Sequence, residues 1–435
     1  MSNRLLLIAL AAPWWVFAQK PVDVAPVWAG HPVPFDLLTH GDRQFVAFYD
    51  AERDMIVAAR TLGSAKWQFV RLPSRVKWDS HNSLTMAIDR DGQIHLAGNM
   101  HAAALVYFRT TRKLDIASFE QVPSMVGRNE KRCTYPRWIR SPAGELIFTY
   151  RDGGSGAGDQ IYNIYDEKAR VWKRLIDTPL IDGQGLMNAY PHGPVPGPDG
   201  YYHMVWTWRD TPDCSTNHDL SYARSRDLVN WENSEGKAYA LPIRFDTAEV
   251  VDAVPVRGGM INGNTKIGFD SRGRVVITYH KFDARGFTQI MAARRDAEGW
   301  RIRTVSDWAY RWDFQGNGSI EFEVTHGAVR PAGGSKLRLD YRHVKYGAGA
   351  WLLDEETHAV AGKAAGEQPL PAGMEKVESG FPGMRVNLAE DTGTPPKGVR
   401  YTLRWETLGR NRDRPREGPA PPPSMLRVIE SRADR

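Results

Sequence analysis

DGQIHLAGNMH, residues 91–101, carries the pattern on which the fold rests: a turn glycine, a short apolar strand, and a histidine where the strand ends. A turn glycine followed by an apolar or alternating strand recurs at Gly41 (QFVAFYD), Gly144 (ELIFTYRDG), Gly200 (YYHMVWTWR) and Gly273 (RVVITYHKFD). With Gly92 in its place, the intervals from Gly41 onward are 51, 52, 56 and 73 residues. After several of these strands comes a second strand, then a turn and a tryptophan: Ala59-Arg60 leads to Trp67, Tyr165-Asp166 to Trp172, Ala223-Arg224 to Trp231, and Ala293-Arg294 to Trp300. Each unit reads as a small antiparallel sheet closed by an aromatic plug, and such a sheet buries both faces only when neighbours stack against it.

Repeats of this length with several short strands predict an all-β, single-domain β-propeller. At the observed spacing the chain after Ala18 holds six to eight units, and seven blades over residues 19–415 is the expectation. A two-sheet sandwich would not explain the recurring glycine–strand–tryptophan order. Residues 401–407 (YTLRWET) read as a late strand. The proline-rich run at 418–424 (GPAPPPS) cannot be a central strand, so residues 416–435 are expected to form a tail over the surface.

Composition agrees with a large β protein: 435 residues, 11% aromatic, with 40 Gly and 28 Pro, favour strands and turns over helices. Residues 1–18 read as an export leader, with Arg4, an apolar run over 5–17 and a small-residue cleavage site at Val16-Phe17-Ala18. That run is too short to span a bilayer, and no later segment reaches the roughly 18 apolar residues a span needs, so a secreted or periplasmic protein without a membrane span is expected. Two cysteines, Cys133 and Cys214, exclude a disulfide framework and allow at most one bridge. Cys214 and His218 have a metal-compatible spacing, but a zinc site needs three or four ligands, so neither a metal nor a cofactor is expected. The net charge of +6 is spread along the chain, with no basic tail or aromatic RNA-binding motif. Nucleic acid is therefore not the expected partner; a polyanionic substrate taken up by a monomer is.

Candidate site residues lie at strand ends. In WDSHNSLTMAIDRDGQIHLAGNMH (78–101), His81 and Asn82 precede a strand expected over 84–89. Asp91-Gly92 turns the chain, and a returning strand over 93–97 delivers His101, so both imidazoles meet at the open end of one hairpin. In CTYPRWIRSPAGELIFTYRDGGSGAG (133–158), Tyr135 precedes a proline and Arg151 leaves the returning strand beside a glycine-rich loop. The glycines would let backbone approach a ligand, and the guanidinium fork suits carboxylate or sulfate. Tyr190 again precedes a proline in MNAYPH, Asn217 and His218 stand just ahead of a strand in TNHDLSYAR, and INGNTKIGF offers Asn262, Asn264 and Lys266. Any one of these could merely satisfy a turn. Their recurrence at equivalent places in successive units brings them to one face.

The HN…GNMH pair, TYP…YRDGGSG, YPHG, TNHDLSYARS and RWETLGRNRD together resemble the BNR-repeat propellers grouped with ulvan lyases of polysaccharide lyase families 24 and 25. The similarity extends from about Phe35 to Pro415. The resemblance implies a seven-bladed propeller that cleaves an acidic, uronate-containing polysaccharide by β-elimination. By motif it places catalytic roles on His81, Tyr135 and the carboxylate-binding Arg151, with His101 and Tyr190 as further site residues; Asn82, Asn217 and His218 are expected to help bind substrate. Elimination demands that the carboxylate be neutralised, a task for Arg151, and needs a base and an acid, tasks for His81 and Tyr135 in either order. A sialidase- or glycosidase-like hydrolase would need a different carboxylate or Tyr-Glu set. A non-catalytic glycan-binding propeller would have no use for His81 with Tyr135.

Overall fold

Phe45, Val46, Ala47, Phe48 and Tyr49 are consecutive on the strand Arg43–Tyr49, and all five are fully buried. Side chains alternate between the two faces of a strand, so a sheet that hides five in a row is covered on both sides. The computed structural model describes residues 21–364 and 373–432, and the leader expected over 1–18 lies outside them. Within the described residues helix is confined to two single 3₁₀ turns, Ile116–Ser118 and Cys214–Thr216, and no helix is long and apolar enough to cross a membrane.

The strands pair as short antiparallel meanders. Asp36–His40, Arg43–Tyr49, Asp54–Thr61 and Gln68–Arg75 pair in sequence order, as do Lys266–Phe269, Val275–Phe282, Thr288–Asp296 and Gly299–Thr304. Leu84–Ile88 and Ile94–Gly98 form the expected hairpin, extended by Tyr107–Thr110 and Phe119–Gln121. A ten-stranded sheet contains two meanders, one starting at Cys133–Arg140 and one at Asn188–Pro196, joined by a single parallel pairing of Gly158 with Asn188. A further sheet is built on Val324–His326, Lys336–His343, Gly347–Asp354 and Val360–Ala364.

The last sheet corrects the expectation of a C-terminal tail over 416–435. Ser424–Arg432 is an inner strand, paired on one side with Val399–Leu408 and on the other with Val22–Val27 from the opposite end of the chain. The proline run stops at Pro423, immediately before it, and Leu426 and Val428 are buried. Proline blocks ladder hydrogen bonds only where it stands, so the strand simply begins after the last one.

The recurring tryptophans show how the sheets join. The Trp172 indole donates to the Tyr107 hydroxyl at 3.2 Å, Trp231 shares one buried cluster with Ile147 and Tyr162, and Trp300 meets Tyr222 edge-on at 5.1 Å between centroids. Each of these partners lies on the preceding meander. Trp67 follows the same rule across the chain ends: its indole donates to the Asp23 carbonyl of the last sheet at 3.0 Å. The sheets therefore stack head to tail around a ring, the arrangement of a β-propeller.

One buried acid marks the junction of three sheets. Asp36 accepts from the Met86 amide at 2.5 Å and from the Thr392 hydroxyl at 2.9 Å. Burial, reinforced by nearby Asp391, raises its pKa from 3.8 to about 7 against the opposing pull of these hydrogen bonds. The folded chain thus holds a proton that the unfolded chain has lost between those values. Stability is fully present below about pH 4 and falls as pH rises toward 7, by up to about 1.4 kcal/mol per pH unit. Asp36→Asn, which keeps an acceptor for Met86 but cannot ionise, should flatten this slope in denaturant titrations at pH 4.5 and 7.5. An unchanged slope would show that Asp36 is ionised in the fold.

Candidate active site

Successive sheets present the same end of their first strands to a cavity of about 260 Å³ lined by Ser80, His81, Tyr135, Arg209, Asn262 and Ser319, among others. His81 precedes Leu84–Ile88, Tyr135 lies on Cys133–Arg140, Asn262 precedes Lys266–Phe269 and Ser319 precedes Val324–His326. Residues far apart in sequence meet because the ring brings equivalent positions together.

The two histidines meet as the hairpin predicts: their rings stack with centroids 4.0 Å apart. Both are partly exposed, and both point Nδ1 at the same carboxylate, His81 at 2.8 Å from Asp79 Oδ1 and His101 at 2.6 Å from Asp79 Oδ2. Burial pushes the Asp79 carboxyl up, but the hydrogen bonds from His101 and His81 outweigh it and hold the group below the ordinary carboxylate range. Asp79, His81 and His101 are also the one group among the described residues with three ligand-type atoms within 4.8 Å of one another. A tetrahedral zinc would keep its ligand atoms about 3.3 Å apart. The shorter Nδ1–carboxylate distances suit shared protons.

A second carboxylate stands behind His81. Asp413 accepts from the Ser80 amide at 3.1 Å and from the Ser319 amide at 2.8 Å, and its Oδ2 lies 3.4 Å from His81 Nδ1. Burial opposes ionisation here too, but the His31 contact, the His81 charge and the serine hydrogen bonds win and keep Asp413 ionised.

Tyr135 owes its position to a local irregularity. Thr134 pairs with Arg151 and Arg137 with Thr149, so Tyr135 and Pro136 together face Tyr150 as a bulge. Tyr135 has φ of +58°, a left-handed backbone that costs about 1–2 kcal/mol for a non-glycine residue. The bulge sets its ring 5.8 Å from His81, 6.2 Å from Tyr190 and 5.0 Å from the Arg151 guanidinium carbon. Burial and neighbouring Tyr190 raise its pKa above the ordinary 10, although Arg151 and Arg209 pull the other way, so the phenol is a proton donor at neutral pH.

Arg151 is buried, with 3% exposure, and has no carboxylate partner among the described residues. Nη1 donates to the Tyr190 hydroxyl at 3.3 Å, Nη2 to the Thr134 hydroxyl at 3.2 Å, and Nε is unpaired. A buried cation held only by neutral oxygens favours an incoming anion, which would offset its desolvation. Two glycines of the glycine-rich loop make room for this arginine and for neighbouring backbone. A Cβ at Gly158 would lie 2.8 Å from Arg151 Cδ, and one at Gly156, where φ is +80°, would lie 2.8 Å from the Asp210 carbonyl oxygen.

His81, His101, Tyr135, Arg151 and Tyr190 thus form one chain of contacts. The other candidates stand apart from it. Asn82 is buried and gives its carbonyl to the Tyr49 hydroxyl at 2.8 Å. His218 spends both ring nitrogens on Asp210 and Asp219, at 3.0 and 2.9 Å. Asn217 is buried behind the cavity wall, its amide donating to the Cys214 carbonyl at 2.7 Å and to Asn262 Oδ1 at 3.2 Å. Cys133 and Cys214 are buried and free.

Sequence reasoning assigned no role to Asp79, Asp413 or Arg209. Arg209 ends the strand Tyr202–Arg209, stacks 5.5 Å from the Tyr190 ring and donates to the Thr211 and Pro212 carbonyls and to Asn262. The Arg-Asp doublet repeated at 151–152 and 209–210 was the available signal for it.

A family model described as BNR repeat-containing family member matches residues 43–308. An ulvan lyase from Alteromonas sp. (strain LOR) is 20% identical over 56% of the chain, and an ulvan lyase of family PL25 from Pseudoalteromonas sp. (strain PLSV) is 21% identical over 54%. The matched stretches cover 57% and 55% of those two proteins, so the chain spans little more than half the length of each. Among solved structures, the polysaccharide lyase Uly1 superimposes with a TM-score of 0.65 over 96% of the chain and 100% of its own, at 14% identity. A PL25 ulvan lyase bound to -[GlcA(1-4)Rha3S]- does so with 0.62 over 90% and 94%, at 13% identity. At these identities the structural likeness establishes the fold alone.

Replacing Arg151 by methionine removes a buried charge while roughly keeping the stem. Arg151→Met should leave the protein as stable as the parent or raise its unfolding free energy by about 1–4 kcal/mol, and should abolish binding of small carboxylates in calorimetry. A large loss of stability would mark Arg151 as a structural residue.

Proposed function

Since the chain belongs to the BNR repeat-containing family, we propose that it is a lyase that cleaves a uronate-containing polysaccharide by β-elimination. The observation that carries this reading is a carboxylate-free buried guanidinium, Arg151, in contact with a protonated phenol, Tyr135, which in turn touches an imidazole, His81. The glucuronate–sulfated rhamnose segment named with the related structure suggests the substrate class: an acidic, sulfated polymer. The two meanders of the ten-stranded sheet, taken as separate blades beside the five other sheets, support the reading of a seven-bladed propeller. Export through the leader over 1–18 would place the enzyme where such polymers occur.

In this reading Arg151 binds the uronate carboxylate with its planar fork and stabilises the enolate that forms when the neighbouring C5 proton leaves. The C5–H electron pair becomes the C4–C5 double bond, and the C4–O bond breaks. His81, whose Nδ1 faces an ionised carboxylate, keeps the lone pair on Nε2 and takes the proton. Tyr135, held protonated by burial, gives its proton to the departing oxygen. His101 and Tyr190 position the sugar, with Tyr190 held by Ser155 at 2.6 Å.

A hydrolase would need a carboxylic acid to protonate the leaving group. Asp79 and Asp413, the carboxylates beside His81, are both held ionised, which speaks against that route.

Incubation with glucuronate-containing sulfated polysaccharide should release products with the short-wavelength ultraviolet absorbance of an unsaturated uronate. His81→Asn and Tyr135→Phe should each lower turnover by about 10²- to 10⁴-fold, and Arg151→Lys should lower it strongly because an ammonium lacks the planar fork. His101→Asn and Tyr190→Phe should be milder. Saturated reducing ends would replace the reading with a hydrolase, and binding without turnover with a glycan-binding propeller.

A further inference from the structure

We infer that Asp79 is a positioning residue that fixes the proton on Nδ1 of both His81 and His101, making the stacked pair one proton-handling unit. The inference deepens the lyase reading and rests on it for its effect on turnover, while the proton placement itself follows from geometry. Asp79 Oδ1 accepts two hydrogen bonds, from the His81 backbone amide at 2.9 Å and from His81 Nδ1 at 2.8 Å, and Oδ2 accepts from His101 Nδ1 at 2.6 Å. An ionised carboxylate has no proton to give, so each imidazole must be the donor at Nδ1. Among the described residues neither Nε2 has a hydrogen-bond partner. Both rings therefore hold a free lone pair on the nitrogen that faces away from Asp79.

The stacking adds a constraint. With centroids 4.0 Å apart, two imidazolium rings would repel, and the second proton would be costly. Asp79 is the one carboxylate that both rings share, each through its own oxygen. The other ionisable groups facing the pair are Asp413, 3.4 Å from His81 Nδ1 and also in contact with His31, and Tyr135, with the Arg151 and Arg209 guanidinium groups beyond. His101 is then more than a sugar contact: it shares with His81 the carboxylate that fixes the proton on both rings.

Asparagine at position 79 makes a specific change, because an amide has one acceptor where a carboxylate has two. The His81 backbone N–H is always a donor and keeps the amide oxygen on the Oδ1 side. The amide NH₂ then faces His101 Nδ1, which must become an acceptor, moving its proton to Nε2. His81 keeps its tautomer and loses only the neighbouring charge.

The test is nitrogen NMR of histidine-labelled protein above the titration of both rings, combined with steady-state kinetics on a glucuronate-containing sulfated polysaccharide. The parent should show Nδ1–H on both His81 and His101. Asp79→Asn should show Nε2–H on His101 alone, a kcat lower by about 10²-fold, a KM changed less than threefold and a shifted pH profile. An Nε2–H signal on either ring of the parent would overturn the inference even if the variant did not fold. A parent that is an active lyase with both Nδ1–H signals, yet whose Asp79→Asn variant turns over normally, would overturn the positioning role and leave the lyase reading intact. A parent without lyase activity would overturn the role in turnover together with the lyase reading, and the NMR spectrum would still decide the proton placement.

Discussion

A sheet that is apolar on both faces has no stable existence by itself. Strands such as Arg43–Tyr49 and Val275–Phe282, with runs of consecutive buried side chains, can be satisfied only between two neighbours, and every neighbour makes the same demand in turn. A ring meets the demand without leaving an end. Pairing of Val22–Val27 with Ser424–Arg432 ties its two ends together through the last sheet, and the Trp67 indole on the Asp23 carbonyl repeats across the chain ends the contact that each tryptophan makes elsewhere. The site follows from this constraint. Stacked meanders present equivalent strand ends to a common cavity, which is why Ser80, Tyr135, Asn262 and Ser319 share one wall.

Charge is distributed unevenly around that wall. Ionised carboxylates, Asp79 and Asp413, stand behind the imidazoles, whereas Arg151 and Arg209 stand around the two tyrosines with, among the described residues, neutral oxygen partners only. The first arrangement orients the imidazoles through Nδ1; the second leaves buried positive charge without a counterion among the described residues. Tyr135 lies between them in a strained backbone conformation, 5.8 Å from one ring and 5.0 Å from the other group. Strain of this kind persists where surrounding structure enforces it, and it is concentrated at functional positions.

Much of this was legible in the chain because repetition converts sequence position into spatial position. Tyr135-Pro136 and Tyr190-Pro191 occupy equivalent places in successive units, and their rings meet; the Asp91-Gly92 turn was enough to bring His81 to His101. What escaped notice was not repeated or not local. Asp79, two residues before His81, reads as an ordinary turn acid. Asp413 meets Ser80 across 333 residues, and nothing near it announces the contact. Proline-rich sequence before Ser424 disguised a buried strand as a tail. The glycines of 153–158 were legible as a need for close approach, but what approaches is Arg151, Asn188 and the Asp210–Thr211 backbone.

The account stands on abstraction of a proton next to a carboxylate held by Arg151. A glucuronate-containing polymer carrying deuterium at C5 tests this most directly. The account predicts that the newly formed unsaturated uronate ends have lost the deuterium and that the cleavage step under single-turnover conditions shows a primary isotope effect. Cleavage that retains deuterium at C5 of the new chain ends would contradict it.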